Sequence, residues 1–157
     1  LKTQGTGANP VWSDAGGLVQ TVFNSSNTSY SNGSTTYSSM VEATITPTSA
    51  SNNIIILANT TGYYVNGNAN GTDRNHFFRI ARDTGTDVEI ISAEQRSDMQ
   101  TFSFRVDNTS MFDKDNPNTT SAITYKFQMK GAGGGWDYYT NHNNTHASQI
   151  ILMEVKV

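Results

Sequence analysis

Between Ile123 and Lys130 the chain alternates without exception, with Ile123, Tyr125, Phe127 and Met129 apolar against Thr124, Lys126, Gln128 and Lys130 polar. A period of two sends successive side chains to opposite faces of an extended backbone, so this segment is a strand with one face in a core and one in water. Val41, Ala43 and Ile45 against Glu42, Thr44 and Thr46 repeat the pattern until Pro47, which cannot donate to a ladder, ends it. Phe102, Phe104 and Val106 oppose Thr101, Ser103, Arg105 and Asp107 in the same way. No segment longer than about ten residues keeps a helical period, and almost no helix is expected.

Two runs break the alternation. In Ile54 to Ala58 and in Ile150 to Val155, adjacent residues are both apolar, so a period of two places apolar side chains on both faces of a sheet. These read as central strands whose outer face is covered by a neighbouring subunit or by a loop folded over it. Strands are expected near 18–23, 37–46, 53–65, 75–82, 87–95, 100–107, 122–130, 135–140 and 148–156, separated by SNGS, NGNANG, DTGTD, DKDNPN and GAGGG. Many short strands with such turns indicate an all-β, antiparallel β-sandwich. A jelly roll is preferred, because its two sheets hide most strand edges and its wedge shape packs around a threefold axis; the expected assembly is a homotrimer. Residues 1–17, with Pro10 beside Trp12 among Gly and Asn, read as a connector, and 18–157 as the sandwich.

Composition narrows the function. Asn, Ser, Thr and Gly make up 67 of the 157 residues and charged residues only 15%, which gives a neutral surface rich in amides and hydroxyls. Seven Tyr, seven Phe and two Trp supply the material for a core, so the chain is not a disordered segment. The net charge of -3 and the lack of any Lys or Arg run offer no stripe for a nucleic-acid backbone. Apolar runs are strand-length, short of the ~20 residues of a membrane helix, so no membrane insertion is expected. The absence of Cys excludes disulfides, zinc ribbons and thiol nucleophiles. Leu1 is followed by no basic and apolar leader, and the chain is expected to be a fragment of a longer protein.

Catalytic patterns are lacking. There is no G-x-S-x-G elbow. His142 and His146, four apart in NHNNTH, share a face of an extended chain, but no nearby Asp, Glu or Cys completes a metal set. NGNANGTDRN at 66–75 has one carboxylate and Phe77 where a calcium loop needs a bidentate Glu. The carboxylates Asp87, Glu89, Glu94, Asp98, Asp113 and Asp115 could in principle supply a glycosidase pair, yet none sits beside an aromatic sugar platform in sequence. No enzyme, cofactor or metal is expected. Binding chemistry is better represented in GGGWDYYTNHNN at 133–144. There Trp136, Tyr138 and Tyr139 offer rings for stacking, and Asn141, His142 and Asn143 offer polar partners for sugar hydroxyls, unless the aromatics fill a core hairpin instead.

Three phrases resemble the ends of fibre proteins of marine and cyanobacterial phages. LKTQGTGANPVWSDAGG at 1–17 is similar to the connector that precedes a terminal domain, and ATITPTSASNNIIILAN at 43–59 to an internal segment. NTTSAITYKFQMKG at 118–131 and ASQIILMEVKV at 147–157 resemble the closing pair of strands. NTSMFDKDNP at 108–117, read as a loop, departs from the pattern by its charge. The resemblance implies a trimeric module of a virion tail fibre or surface appendage, contacting a host-surface glycan or protein or other virion proteins. A second class stays open. Eight Asn-x-Ser/Thr sequons, against about four expected by chance, suit a secreted, glycosylated, C1q-like or tumour-necrosis-factor-like ligand domain. A glycan-degrading spike domain is a third reading.

Overall fold

The computed structural model describes residues 17–31, 33–64, 74–97, 105–131, 138–141 and 146–157. Ten strands are present there and no helix: β1 (Leu18–Ser26), β2 (Tyr30–Ser31), β3 (Ser38–Ile45), β4 (Asn53–Tyr64), β5 (Arg74–Asp83), β6 (Asp87–Ser97), β7 (Arg105–Asp115), β8 (Ile123–Gly131), β9 (Tyr138–Thr140) and β10 (Ser148–Val155). All pairings are antiparallel.

Strand β7 pairs β4 over its whole described length, from Ile54–Asp115 to Tyr64–Arg105. The opposite edge of β4 is shared, by β10 along Asn53 to Asn59 and by β9 along Gly62 to Tyr64. Since β2 pairs β9 and β1 pairs β10, the ten elements occupy eight lines. The first sheet runs β1/β2, β10/β9, β4, β7, and the second β3, β8, β5, β6. The pairing is nested: β1 with β10, β3 with β8, β4 with β7, β5 with β6. This is one long hairpin folded over on itself into two facing sheets, the arrangement of a jelly roll. At its tip the β5–β6 turn is closed by Gly85 at φ 91°, whose N–H donates to the Asp83 side chain. That left-handed backbone suits glycine.

The core lies between the sheets. Ile54, Ile56, Ile150 and Leu152 from the first sheet meet Phe78, Ile80, Tyr125, Phe127 and Met129 from the second, all with at most 1% exposure. Phe78 and Phe127 pack with tilted rings 6.1 Å apart. The alternations at 41–45 and 123–129 point inward as expected. Two expectations need correction. Residues 108–115 are not a loop but the greater part of β7. An edge strand needs apolar residues on only one face, which lets Asn108, Thr109, Ser110, Asp113 and Lys114 sit in a ladder that a polar sequence does not advertise. Strand β8 also buries Gln128, an outward residue by parity, beneath the ion pairs of the second sheet. The connector 1–16, the strand residues 100–104 and the loop 66–73 lie outside the described residues.

Candidate functional site

The two outer faces of the sandwich differ in chemistry. On the second sheet, Arg79 and Asp87 pair at 3.1 Å, and Lys126 contacts both Asp83 at 2.8 Å and Asp87 at 3.0 Å. Gln128 closes the network, accepting from Arg79 Nε at 2.7 Å and donating to Asp87 at 2.8 Å. The hydrogen bonds that Lys126 donates to Asp83 and Asp87 push its ammonium up to about 12. Arg79 and Lys130 lie over the Tyr37 ring at 4.1 and 4.6 Å. Polar groups here are mutually satisfied, and the face is finished for water.

The outer face of the first sheet is not. Phe23 stands opposite Ile151, Ile151 opposite Leu57, and Leu57 opposite Phe112, so one apolar row crosses all four strands. Phe23 and Phe112, on the two edge strands, are 57% and 62% exposed. The next row is Thr21, Met153, Ile55 and Lys114; on the other side lies Ser25, Gln149, Asn59 and Ser110. Lys114 is the one ionic side chain in these three rows. A shallow groove follows the row between β4 and β7, lined by Leu57, Asn59, Ser110, Met111, Phe112 and Ile151. The doubly apolar runs are thus central strands, and within the described chain no loop covers their outer side. Phe112 escapes a sequence reading that makes its segment a loop; the signal available is the adjacent pair Met111–Phe112, one residue for each face.

The loop residues expected to bind ligand fare unevenly. Trp136, His142 and Asn143 lie outside the described residues. Tyr138 is in β9 opposite Tyr64, and Tyr139, half-buried, is opposite both Tyr63 and Ser31. Asn141 is buried, with φ 56°. Its side-chain amide donates to the carbonyls of Ser26 at 3.0 Å and Thr28 at 3.2 Å and to Ser148 Oγ at 3.0 Å, while its backbone N–H reaches Thr61 O at 3.2 Å. These bonds tie together the breaks between β1 and β2 and between β9 and β10, which places the Asn141 side chain inside the fold and not among surface groups.

At the opposite end, Glu154 is fully buried in β10. Its carboxylate accepts from Thr48 N at 2.7 Å, Thr48 Oγ1 at 2.8 Å, Asn52 Nδ2 at 2.6 Å and Gln20 Nε2 at 2.6 Å. Burial alone would raise its pKa, but these donors outweigh it and hold the carboxyl near 2. Nearby, Asp115 accepts from Arg82 and from the Tyr125 hydroxyl, both at 2.8 Å. Burial, reinforced by Asp115, lifts the Tyr125 phenol far above its ordinary range. His76, 2% exposed in β5, is pushed down to about 4 by burial. Among the described residues, no three of His, Cys, Asp and Glu are grouped to hold a metal ion.

Strand order and nested pairing define the class: a two-sheet jelly-roll β-sandwich with one unfinished outer face. No protein-family model matches the chain, and no curated protein sequence does. Among solved structures it is similar to Eiger TNF from S. frugiperda, with 11% identity and TM-score 0.38, covering 66% of this chain and 59% of that one. It is also similar to the VP2 subviral particle protein of infectious bursal disease virus, with 10% identity and TM-score 0.43, covering 98% of this chain and 43% of that one. The chain thus spans less than two thirds of either protein, and its jelly-roll assignment rests on its own strand order.

Proposed function

We propose that this chain is a non-enzymatic module of a virion fibre, a jelly-roll domain that self-associates as a homotrimer and offers its remaining surface to a host glycan or protein or to another virion protein. The observation that carries this reading is the contrast between the outer faces, one closed by ion pairs and one crossed by an apolar row. Contiguous exposed apolar patches larger than a few hundred Å², especially ones rimmed by polar residues, mark surfaces that meet another macromolecule. The fibre context is supported by the resemblance of residues 1–17, 43–59, 118–131 and 147–157 to phage fibre ends. The candidate carboxylates Asp87 and Asp115 are held in ion pairs, which suits a structural role better than a general acid.

Light scattering at micromolar concentration tests the assembly: a mass near three chains of 17.1 kDa, about 51 kDa, is expected. A stable monomer overturns it. A pull-down on host cells, in which the protein should bind and heat-denatured protein should not, tests the contact role. The sequons favour the secreted-ligand reading in one respect, since Asn27, Asn108 and Asn118 are exposed. Asn59, however, belongs to the polar row flanking the apolar one, and a glycan there would stand on the proposed contact face. Intact-mass measurement with peptide mapping of native material separates the two, because a glycan located at Asn59 excludes this assembly.

A further inference from the structure

Strand β10 is apolar on both faces at its centre, with Ile150 and Leu152 toward the core and Ile151 and Met153 away from it. Its neighbour β4 repeats this with Ile54 and Ile56 against Ile55 and Leu57. Register in a sheet is set by one-sided burial and by tight turns, and a slip of one residue turns every side chain to the other face. Neither device serves here, since both faces are apolar and no hairpin turn joins β10 to its partners β1 and β4. Apolar burial even favours another register. A slip that seats each residue in its predecessor's place would put Gln149, Ile151, Met153 and Val155 in the core positions of Ser148, Ile150, Leu152 and Glu154. Three apolar side chains would then replace two, and the carboxylate would reach water. We infer that two buried polar sockets, one at each end of β10, fix its register and thereby decide which side chains the outer face of the first sheet presents.

At one end, Ser148 Oγ meets Thr60 Oγ1 at 2.8 Å and accepts from Asn141 Nδ2 at 3.0 Å, all three residues being fully buried. At the other end, the donors of Thr48, Asn52 and Gln20 converge on Glu154. The sockets lie roughly 20 Å apart along the strand, so a slip vacates both together. Val155 in the place of Glu154 would turn the Asn52 and Gln20 amides toward hydrocarbon, and Gln149 would bring a longer side chain to a site sized for serine. A slip in the opposite sense seats Met153 and Ala147 there, neither of which can accept the hydrogen bonds. Fixing register is the best-attested use of buried polar groups. The sockets also compose the outer face. After the first slip, Leu152 would replace Ile151 in the row of Phe23, Leu57 and Phe112, and Glu154 would stand opposite Ile55.

Moving the polar side chains along the strand tests this. Ser148→Gln, Gln149→Ser, Glu154→Val and Val155→Glu together keep the composition of β10 and shift both socket residues by one position. The chain has no cysteine, so register can be read by combining Leu57→Cys with Ile150→Cys, Ile151→Cys or Leu152→Cys in turn. The intrachain disulfide is then mapped by mass spectrometry without reduction. Directly opposed cross-strand residues lie within bridging distance, whereas side chains on opposite faces do not meet. The parent should bridge through position 151, the partner of Leu57, and the shifted variant through position 152. A shifted variant that folds and still bridges through 151 overturns the inference. Should it lose its circular-dichroism signal, Ser148→Ala with Glu154→Leu replaces it. Bridging should then spread to position 150 or 152, and bridging confined to 151 overturns the inference equally.

Discussion

Replacing Glu154 by Gln should destabilise the protein at neutral pH and do so less and less as the pH falls. Among the described residues no cation pairs with this carboxylate; it is held ionised by four neutral donors from Thr48, Asn52 and Gln20. Its pKa falls from 4.5 to about 2 on folding. At ~1.4 kcal/mol per unit this corresponds to about 3 kcal/mol of stability carried by the charge, and solvent screening on the part-buried Gln20 side brings it to about 2 kcal/mol. Gln shares the shape but turns an N–H₂ toward one donor. With the folded pKa depressed, the contribution is complete above pH 4.5 and is lost as the pH falls toward 2. Urea denaturation of both proteins at pH 7, 4 and 2.5 measures it. The expected gap is about 2 kcal/mol at pH 7, a drop in melting temperature of roughly 4–8 °C, shrinking to about a quarter of that at pH 2.5. A gap that does not change with pH would refute the reasoning, since a mere packing defect has no reason to titrate.

Other outcomes follow from single residues. His76, buried and neutral with its pKa lowered from 6.5 to about 4, should make the protein lose about 2–3 kcal/mol between pH 6.5 and 4, because the unfolded chain takes up the proton first; His76→Gln should flatten that part of the stability curve. Asn141→Ala removes three amide bonds and places an alanine at φ 56°, so it should cost about 2–3 kcal/mol, with Asn141→Gly about 1 kcal/mol less severe, by thermal denaturation. Gly131→Ala should cost about 1–2 kcal/mol, because its Cβ would stand 3.0 Å from the backbone of Gly33 and push away the segment whose Ser34 carbonyl accepts from Gly131 N–H.

Much of the sandwich was legible because burial leaves a period in the sequence. Ile123 to Met129 and Val41 to Ile45 point inward as their alternation required, and the doubly apolar runs occupy the two middle lines of the first sheet. What could not be read were places where polar residues take buried or paired positions. Strand β7 carries Asp, Asn, Thr, Ser and Lys because an edge strand needs few apolar contacts. Asn141, in a stretch that looks like solvated loop, is buried through a left-handed corner that composition does not reveal. Glu154 was within reach, since the parity of Ile150 and Leu152 already directs residue 154 inward. The sheet face was not read as a site, since its rows join strands far apart in sequence, while of the aromatic-loop residues Trp136, His142 and Asn143 lie outside the described residues.

The nested pairing also governs how the chain comes to be folded. Strand β1 finds its partner only in β10, and Gln20 waits for Glu154, 134 residues later. At synthesis rates of roughly 5–20 residues per second, the first strand spends on the order of ten seconds without its neighbour. Among the described strand pairs, only the β5–β6 hairpin can form from nearby residues; every other pair closes outward from it, each over a longer separation, which makes for a slow folder by contact order. A nascent chain in that condition holds several unpaired strand edges at once, the circumstance in which chains aggregate. The hydroxyl- and amide-rich composition is then a property of the waiting chain as much as of the finished surface.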